Sequence, residues 1–330
     1  MQCPPLSMYM AIEIGGTKLQ LAVGDAAGSP LKVLERRTVD PSQGAAGIRN
    51  QIAQAGPQLI QDHDVVAVGI GFGGPVDTRQ GKIIKSFQIA GWDGFAISGW
   101  AEQALQRPAI LGNDSDLAGL GEARYGAGKG HRVVVYSNVG SGIGGALVID
   151  GQLYMGAVGG AAEIGHLRPG VRADSQQQTV ESISSGWGMT SMAQTRLANR
   201  LSQDQASIDD LIARCDGEAK KLNSKILASA MIDGNALATD IFRQGIQTYG
   251  WALAQAITLL NPNVVVVGGG VPLIGETWYL GPLQEEVARY VFAPRIGTYE
   301  IKPAALGEEV VLYGALALAS SISQAVPHES

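Results

Sequence analysis

Cysteine is nearly absent from this chain: Cys3 and Cys215 are the only two in 330 residues, one near the N-terminal end and one mid-chain. Two thiols so placed argue against a disulfide framework and against a cysteine-based zinc site, and they fit a reducing, cytoplasmic setting. Long basic runs are missing as well, and acidic side chains outnumber basic ones, 30 to 24, for a net charge of −6. That balance argues against a nucleic-acid partner and against an anionic membrane surface. No run of about eighteen apolar residues occurs, which excludes a membrane-spanning helix. The segment 1–7 also lacks the basic and apolar regions of an export leader, so a soluble, cytoplasmic protein is expected.

Glycine is what the chain has in excess, with 45 residues, about twice the usual frequency. The glycines sit in short clusters between apolar runs, so they read as turns and ligand loops and not as disorder. The first cluster follows at once in Glu13-Ile14-Gly15-Gly16-Thr17-Lys18. Apolar runs at 9–12 and 19–23 flank it as two strands, with Gly15-Gly16 as their hairpin. Backbone N–H groups exposed by glycine suit an anionic ligand, Thr17 and Lys18 add donors, and Glu13 offers Mg²⁺ a carboxylate, directly or through water. By its local chemistry alone the turn reads more readily as a plain hairpin.

Further along, 31–39 reads as a third strand and 44–59 as a helix, and 65–71 is a continuous apolar run of the kind covered on both faces. That run ends in the turn Gly73-Gly74-Pro75-Val76-Asp77. A strand at 108–112 leads into Asn113-Asp114 and a helix over 117–125, so either residue is placed to cap that helix. The opening pattern then returns: a strand over 132–138, the glycine turn Gly140-Ser141-Gly142-Ile143-Gly144-Gly145, and a strand over 146–149 ending in the hairpin signal Asp150-Gly151. This repetition indicates an internal duplication, with two turns suited to hold a nucleotide's phosphates. Mainly helical sequence follows over 191–249, a helix over 250–260 ends at Asn261-Pro262, and the strand 264–267 runs into Gly268-Gly269-Gly270. A helix over 312–323 closes the chain. With 330 residues and no low-complexity linker, two domains meeting across a cleft are expected.

Glu13 to Lys18, Gly71 to Asp77, Asn113-Asp114, Gly140 to Gly145, Glu163-Ile164-Gly165-His166, Glu181 and Val267 to Gly270 together resemble, in order and over nearly the full length, the ROK family of sugar kinases. The resemblance implies an α/β fold of duplicated ribonuclease H-like, actin-like ATPase domains, with mixed sheets flanked by helices around an interdomain cleft. Its boundaries are expected at 1–115 with 305–330 for a smaller domain and 116–304 for a larger one. It also implies ATP-dependent phosphorylation of a hexose hydroxyl, glucokinase-like at the 6-position, with Asp114 as general base. Gly74, Gln88, Asn113, Asp114, Glu163, His166 and Glu181 match sugar-binding positions. Gly15, Gly16, Thr17, Lys18, Gly140, Ser141, Gly142, Gly268, Gly269 and Gly270 match nucleotide-binding ones, and Glu13 the Mg²⁺ side. A homodimer is the usual assembly of similar proteins.

Three departures stand out. Most relatives begin the first motif with Asp, one methylene shorter than Glu13. Many carry a cysteine cluster that binds zinc with the histidine, whereas here Arg172, Asp174 and Thr179 lie near the expected positions, so no structural zinc is expected. Gln88 stands where relatives usually have Asn. Family members that repress transcription carry an N-terminal helix-turn-helix, for which the residues before the first strand leave no room. The competing readings are a sugar- or nucleotide-binding regulator of the same fold that has lost catalysis, and an actin-like filament protein, which the His166–Glu181 cluster disfavours. Which hexose is bound, and which phosphate donor is used, stay open.

Overall fold

The computed structural model describes residues 6–199 and 204–324; Cys3 and most of the segment 1–7 lie outside them. The chain divides into two compact units. One takes in the residues up to His131, Ala146–Ala161 and those from Ala305 onward; the other takes in Arg132–Gly145 and Ala162–Ala304. Among the described residues no helix is long and apolar enough to cross a membrane.

The first unit opens with the antiparallel hairpin β1 (Met8–Ile14) and β2 (Lys18–Gly24), extended by β3 (Val33–Thr38). Both faces of β1 and β2 are covered, which is why neither strand alternates cleanly between apolar and polar residues. One face carries Met10, Ile12, Leu19, Leu21 and Val23, all inaccessible to solvent. Against it lies α1 (Gly44–Asp62), whose Ile48, Ile52 and Leu59 recur at helical spacing and join the same core. The chain continues through β4 (Val65–Phe72), the short pair β5 (Val76–Asp77) and β6 (Lys82–Ile83), α2 (Ile97–Leu105), β7 (Ala109–Asn113) and α3 (Asp114–Tyr125). The sheet order is β3-β2-β1-β4-β7, with β1, β4 and β7 parallel.

A second five-stranded sheet repeats this plan. Its strands are β8 (Val133–Val139), β9 (Ile143–Ile149), β10 (Gln152–Leu153), β11 (Val264–Gly268) and β12 (Glu300–Pro303), in the order β10-β9-β8-β11-β12. Again β8, β11 and β12 are parallel. The β9–β10 turn has Asp150 and Gly151 both at positive φ, 52° and 72°, as an Asp-Gly hairpin requires. The two glycine-turn hairpins therefore head sheets of the same topology, which is the duplication read from the sequence.

The second unit's helices are α4 (Val180–Ser184), α5 (Gly186–Ala198), α6 (Gln205–Arg214), α7 (Ser224–Ile232), α8 (Ala236–Leu260) and α9 (Gly281–Tyr290). α8 runs unbroken through Gly250, where the sequence suggested that a new helix begins. That glycine serves packing instead: a Cβ there would stand 2.7 Å from the Glu286 Cβ of α9. Asn261 then ends α8 in the left-handed region ahead of Pro262, at a φ of 48°.

The chain returns to the first unit as α10 (Val310–Gln324), which lies on α3, β4 and β1. The approach is close enough that a Cβ at Gly314 would overlap the Leu117 carbonyl, and one at Gly69 the Ala315 carbonyl. Glu122, fully buried on α3, fastens the returning chain. One carboxylate oxygen accepts from the N–H groups of Ala305 and Leu306, both at 2.8 Å, and the other from Ala127 at 2.7 Å.

Candidate active site

In the first unit, register sets the ends of three parallel strands level, with Ile14 opposite Phe72 and Phe72 opposite Asn113. The segments leaving those ends carry the expected residues, as ligand loops do at the carboxyl ends of parallel strands. Asn113 is the N-cap of α3: its side-chain oxygen accepts from the N–H of Ser115 at 2.9 Å and of Asp116 at 3.3 Å. Its Nδ2 donates to the carbonyl of Gly74 at 3.0 Å, so one amide joins the helix start to the β4 loop.

Asp114 is the first helical residue. Its Oδ1 accepts from the Ser115 N–H at 2.8 Å, and a Cβ on Gly73 would stand 3.2 Å from Oδ2. Burial pushes its pKa above the ordinary aspartate value, against the lowering effects of Ser115 and Asn113. Desolvation thus outweighs the start of α3, whose dipole favours the ionised form.

The Gly15–Thr17 turn is closed by Gly15 N–H donating to the Lys18 carbonyl at 3.0 Å, and the Thr17 carbonyl accepts from Val39 at 3.0 Å. The Gln88 side chain lies over this turn so closely that a Cβ on Gly16 would overlap its amide. Gln88 is held there by a loop whose Ser86 N–H donates to Asp93 and whose Ala90 carbonyl accepts from Ala45 at 2.9 Å. Lys18 extends its ammonium to Glu308, 3.6 Å away. Glu13, half-buried, accepts from the Gln20 amide at 2.6 Å. Its pKa is raised, chiefly by burial and further by the charges of Asp114 and Glu308, while Gln20 and Lys18 oppose the rise. The Asp114 charge disfavours the ionised form of Glu13, so negative charge gathers at this turn and is only partly offset by Lys18.

In the second unit the ends of β8 and β11 are likewise level, with Asn138 opposite Gly268. The Gly140–Gly142 turn is braced by backbone: Gly186 N–H donates to Gly140 at 2.9 Å and Trp187 N–H to Ser141 at 3.2 Å, both from the start of α5. Gly269, at a φ of 92°, passes close over Val139, and Val271 N–H donates to the Val139 carbonyl at 3.0 Å. Gly140, Ser141 and Gly270 thereby come together along a cavity of about 190 Å³ that is also lined by Ser224, Lys225 and Phe242. Those last three were missed from sequence. The only local signal was Asn223, which caps α7 by accepting from Lys225 and Ile226 N–H, both at 3.0 Å.

Glu181, in the first turn of α4, is tied to the same hairpin. Its Oε2 accepts from the Ile143 N–H at 2.7 Å, and a Cβ on Gly142 would stand 2.6 Å from that oxygen. Glu163 and His166 are exposed neighbours, with Oε2 and Nε2 3.9 Å apart. Partial desolvation raises the Glu163 pKa and Glu181 adds to this, whereas His166 lowers it. Gly165 lies against the Ile143 carbonyl with no room for a Cβ, so Glu163, His166 and Glu181 gather around the start of β9.

The cysteine-free segment after His166 is ordered by its own hydrogen bonds. Arg168 donates to the Asp174 carbonyl at 3.4 Å, Ser175 N–H to Gln178 at 3.2 Å and Val180 N–H to Leu167 at 2.8 Å. Among the described residues no group of three or more His, Cys, Asp or Glu side chains is placed to hold a metal ion.

Comparison with known proteins bears on this arrangement. Residues 9–322 match the sequence profile of the ROK family. A glucokinase of Streptomyces coelicolor is 30% identical over 319 residues, which cover 95% of this chain and 98% of that protein. Among solved structures, a ROK family glucokinase from Streptomyces griseus in complex with glucose and AMPPNP is similar with a TM-score of 0.76 at 30% identity, covering 96% of this chain and all of that one (100%). A ROK hexokinase from Thermus thermophilus gives a TM-score of 0.80 at 26% identity, covering 96% and 99% of the respective chains.

Proposed function

Because the chain belongs to the ROK family, we propose that it is an ATP-dependent hexose kinase, glucokinase-like, that phosphorylates the 6-hydroxyl with Asp114 as general base. The observation that carries this reading is the seat of Asp114: a half-buried carboxylate whose proton affinity is raised by desolvation, at the level ends of β1, β4 and β7, beside the Gly15–Thr17 turn. A base needs a proton affinity high enough to accept from an alcohol and a fixed direction of approach. Burial supplies the first, and the Ser115 N–H supplies the second.

In the reaction the sugar hydroxyl gives its proton to Asp114 while its oxygen attacks the γ-phosphorus of ATP. The bond from that phosphorus to the bridging oxygen breaks and ADP leaves. On the first unit, Gly15, Gly16, Thr17 and Lys18 would meet phosphate oxygens through backbone N–H and side-chain donors. Gly74, Gln88 and Asn113 would meet sugar hydroxyls. On the second unit, Gly140, Ser141, Gly142 and Gly268 to Gly270 would serve the nucleotide, with the cavity beside Phe242 shaped for its apolar part. Glu163, His166 and Glu181 would bind sugar hydroxyls, which rejects epimers because an inverted hydroxyl leaves polar groups unpaired.

Glu13 fits Mg²⁺ in chemistry: an oxygen ligand whose negative charge is only partly offset, in company with Asp114. Two carboxylates and not three suit an ion that keeps waters and phosphate oxygens as its remaining ligands. When bound it would offset the phosphate charge that builds up during transfer.

A coupled ADP-release assay over glucose, mannose, fructose and N-acetylhexosamines tests the activity, and phosphorus NMR of the product tests the position. Glucose is expected as the best substrate, giving the 6-phosphate. An Asp114→Ala variant that kept most of the rate would remove the base assignment. The catalysis-free regulator draws on one observation, the engagement of Glu13 by Gln20. Tight sugar binding by calorimetry without any ADP release would favour it.

A further inference from the structure

Glu13 is one row of a three-strand ladder. It lies opposite Gln20 across β1 and β2, and Gln20 lies opposite Arg36 across β2 and β3, so the three side chains share one face of the sheet. Along the row Arg36 is exposed, Gln20 is fully buried and Glu13 is half-buried. Arg36 Nε donates to Gln20 Oε1 at 2.9 Å, and Gln20 Nε2 donates to Glu13 Oε2 at 2.6 Å. At the outer end Arg36 Nη2 reaches Glu309 at 3.4 Å, where α10 begins.

The direction of this chain of bonds follows from chemistry. A guanidinium only donates, so the amide oxygen of Gln20 has to face Arg36 and its NH₂ has to face Glu13. Without Arg36 the amide is free to turn over and set an oxygen against the carboxylate. With it, a buried donor is always presented to Glu13, and one oxygen of the longer acid is committed to the sheet.

We propose that Arg36 and Gln20 are positioning residues that draw Glu13 back across the sheet and seat its carboxylate for the divalent ion of the kinase reaction. This rests on the assignment of that ion to Glu13 made above. The extra methylene of Glu relative to Asp is what lets the side chain reach Gln20, so the pair works as a unit: a longer acid, and an oriented amide that holds it.

Mn²⁺ binding in the presence of AMPPNP, read from the EPR signal of free Mn²⁺, tests this without turnover. Gln20→Met and the exposed-site variant Arg36→Met are each expected to weaken Mn²⁺ binding about tenfold, as loss of a group that orients a ligand does. Arg36→Lys, still a donor only, is expected to recover part of the loss. In a Glu13→Asp background, where the shortened acid does not meet the amide, adding Gln20→Met is expected to change the affinity by less than about twofold. General loosening of the sheet would act equally in both backgrounds.

Wild-type Mn²⁺ affinity in both Met variants, folded by near-ultraviolet circular dichroism, would overturn the positioning role while leaving the kinase reading intact. Unchanged binding in Glu13→Gln would remove the ion from Glu13 and the ladder's role with it. Weakened Mn²⁺ binding in both Met variants alongside a wild type that releases no ADP with any sugar would keep the ladder and overturn the kinase.

Discussion

The hairpins β1–β2 and β8–β9 head sheets of identical strand order, yet they are built for different work. The first carries its polar groups in its own strands: Glu13 and Gln20 face each other in the ladder, and Lys18 starts β2. The second is apolar at both edges of its turn, Val139 and Ile143, and borrows its carboxylate from α4, where Glu181 accepts a backbone N–H. The first turn is overlaid by a side chain, Gln88, and the second is braced by two backbone bonds from α5. Duplication has kept the backbone plan and let the chemistry diverge. The first hairpin holds charge that burial makes costly, and the second uses one oxygen of the Glu181 carboxylate to hold a turn in shape.

The largest expected effect lies on the side of chemistry. Asp114→Asn should lower kcat by about 10²–10⁴-fold, the usual worth of a general base, with sugar affinity by calorimetry nearly unchanged. Because Asp114 has a raised pKa, the wild-type rate should fall with acidity at a higher pH than an ordinary aspartate would give.

Next comes stability. Glu181→Ala leaves the Ile143 N–H without its acceptor and should cost about 1–3 kcal/mol in urea unfolding, whereas Glu13→Gln should leave stability unchanged or raise it. Equal losses at both positions would end the contrast between the two hairpins.

A smaller effect tests the cost of the site. A group whose folded pKa is raised contributes stability that is full below its unfolded pKa and is lost as pH rises through the folded one. Asp114→Asn should therefore be more stable than wild type at pH 7, by about 0.5–2 kcal/mol, with the gap closing as the pH is lowered toward the ordinary aspartate range. The smallest expected change is at Lys18, whose pairing with Glu308 is open to solvent: Lys18→Met should move stability by less than about 0.5 kcal/mol.

Much of this was readable from the sequence where local rules dominate. The strand at 65–71, the Asn113 cap and the Asp150-Gly151 turn each follow from periodicity or from turn chemistry that tertiary structure left alone. A new helix was expected to begin at Gly250, but that glycine lies inside α8, where the close passage of α9 leaves no room for a side chain. Ser224, Lys225 and Phe242 carried no signal beyond the Asn223 cap, since only the folding of α7 and α8 brings them to the Gly140–Ser141 turn. The Glu13–Gln20–Arg36 row was within reach: with Ile14 opposite Leu19, period-two register puts Glu13 opposite Gln20. It went unread because Gln20 and Arg36 alone look like ordinary polar positions of a strand.

The seating of α10 has a consequence for how the protein is made. Its Gly314 is interleaved with α3, and Glu122 on α3 holds the residues just before α10, so the first unit lacks a wall until Val310–Gln324 has been synthesised. At about 5–20 residues per second, α3 emerges from the ribosome roughly 10–40 s before the helix it needs. Through that interval the faces of β1 and β4 on which α10 packs stand without it.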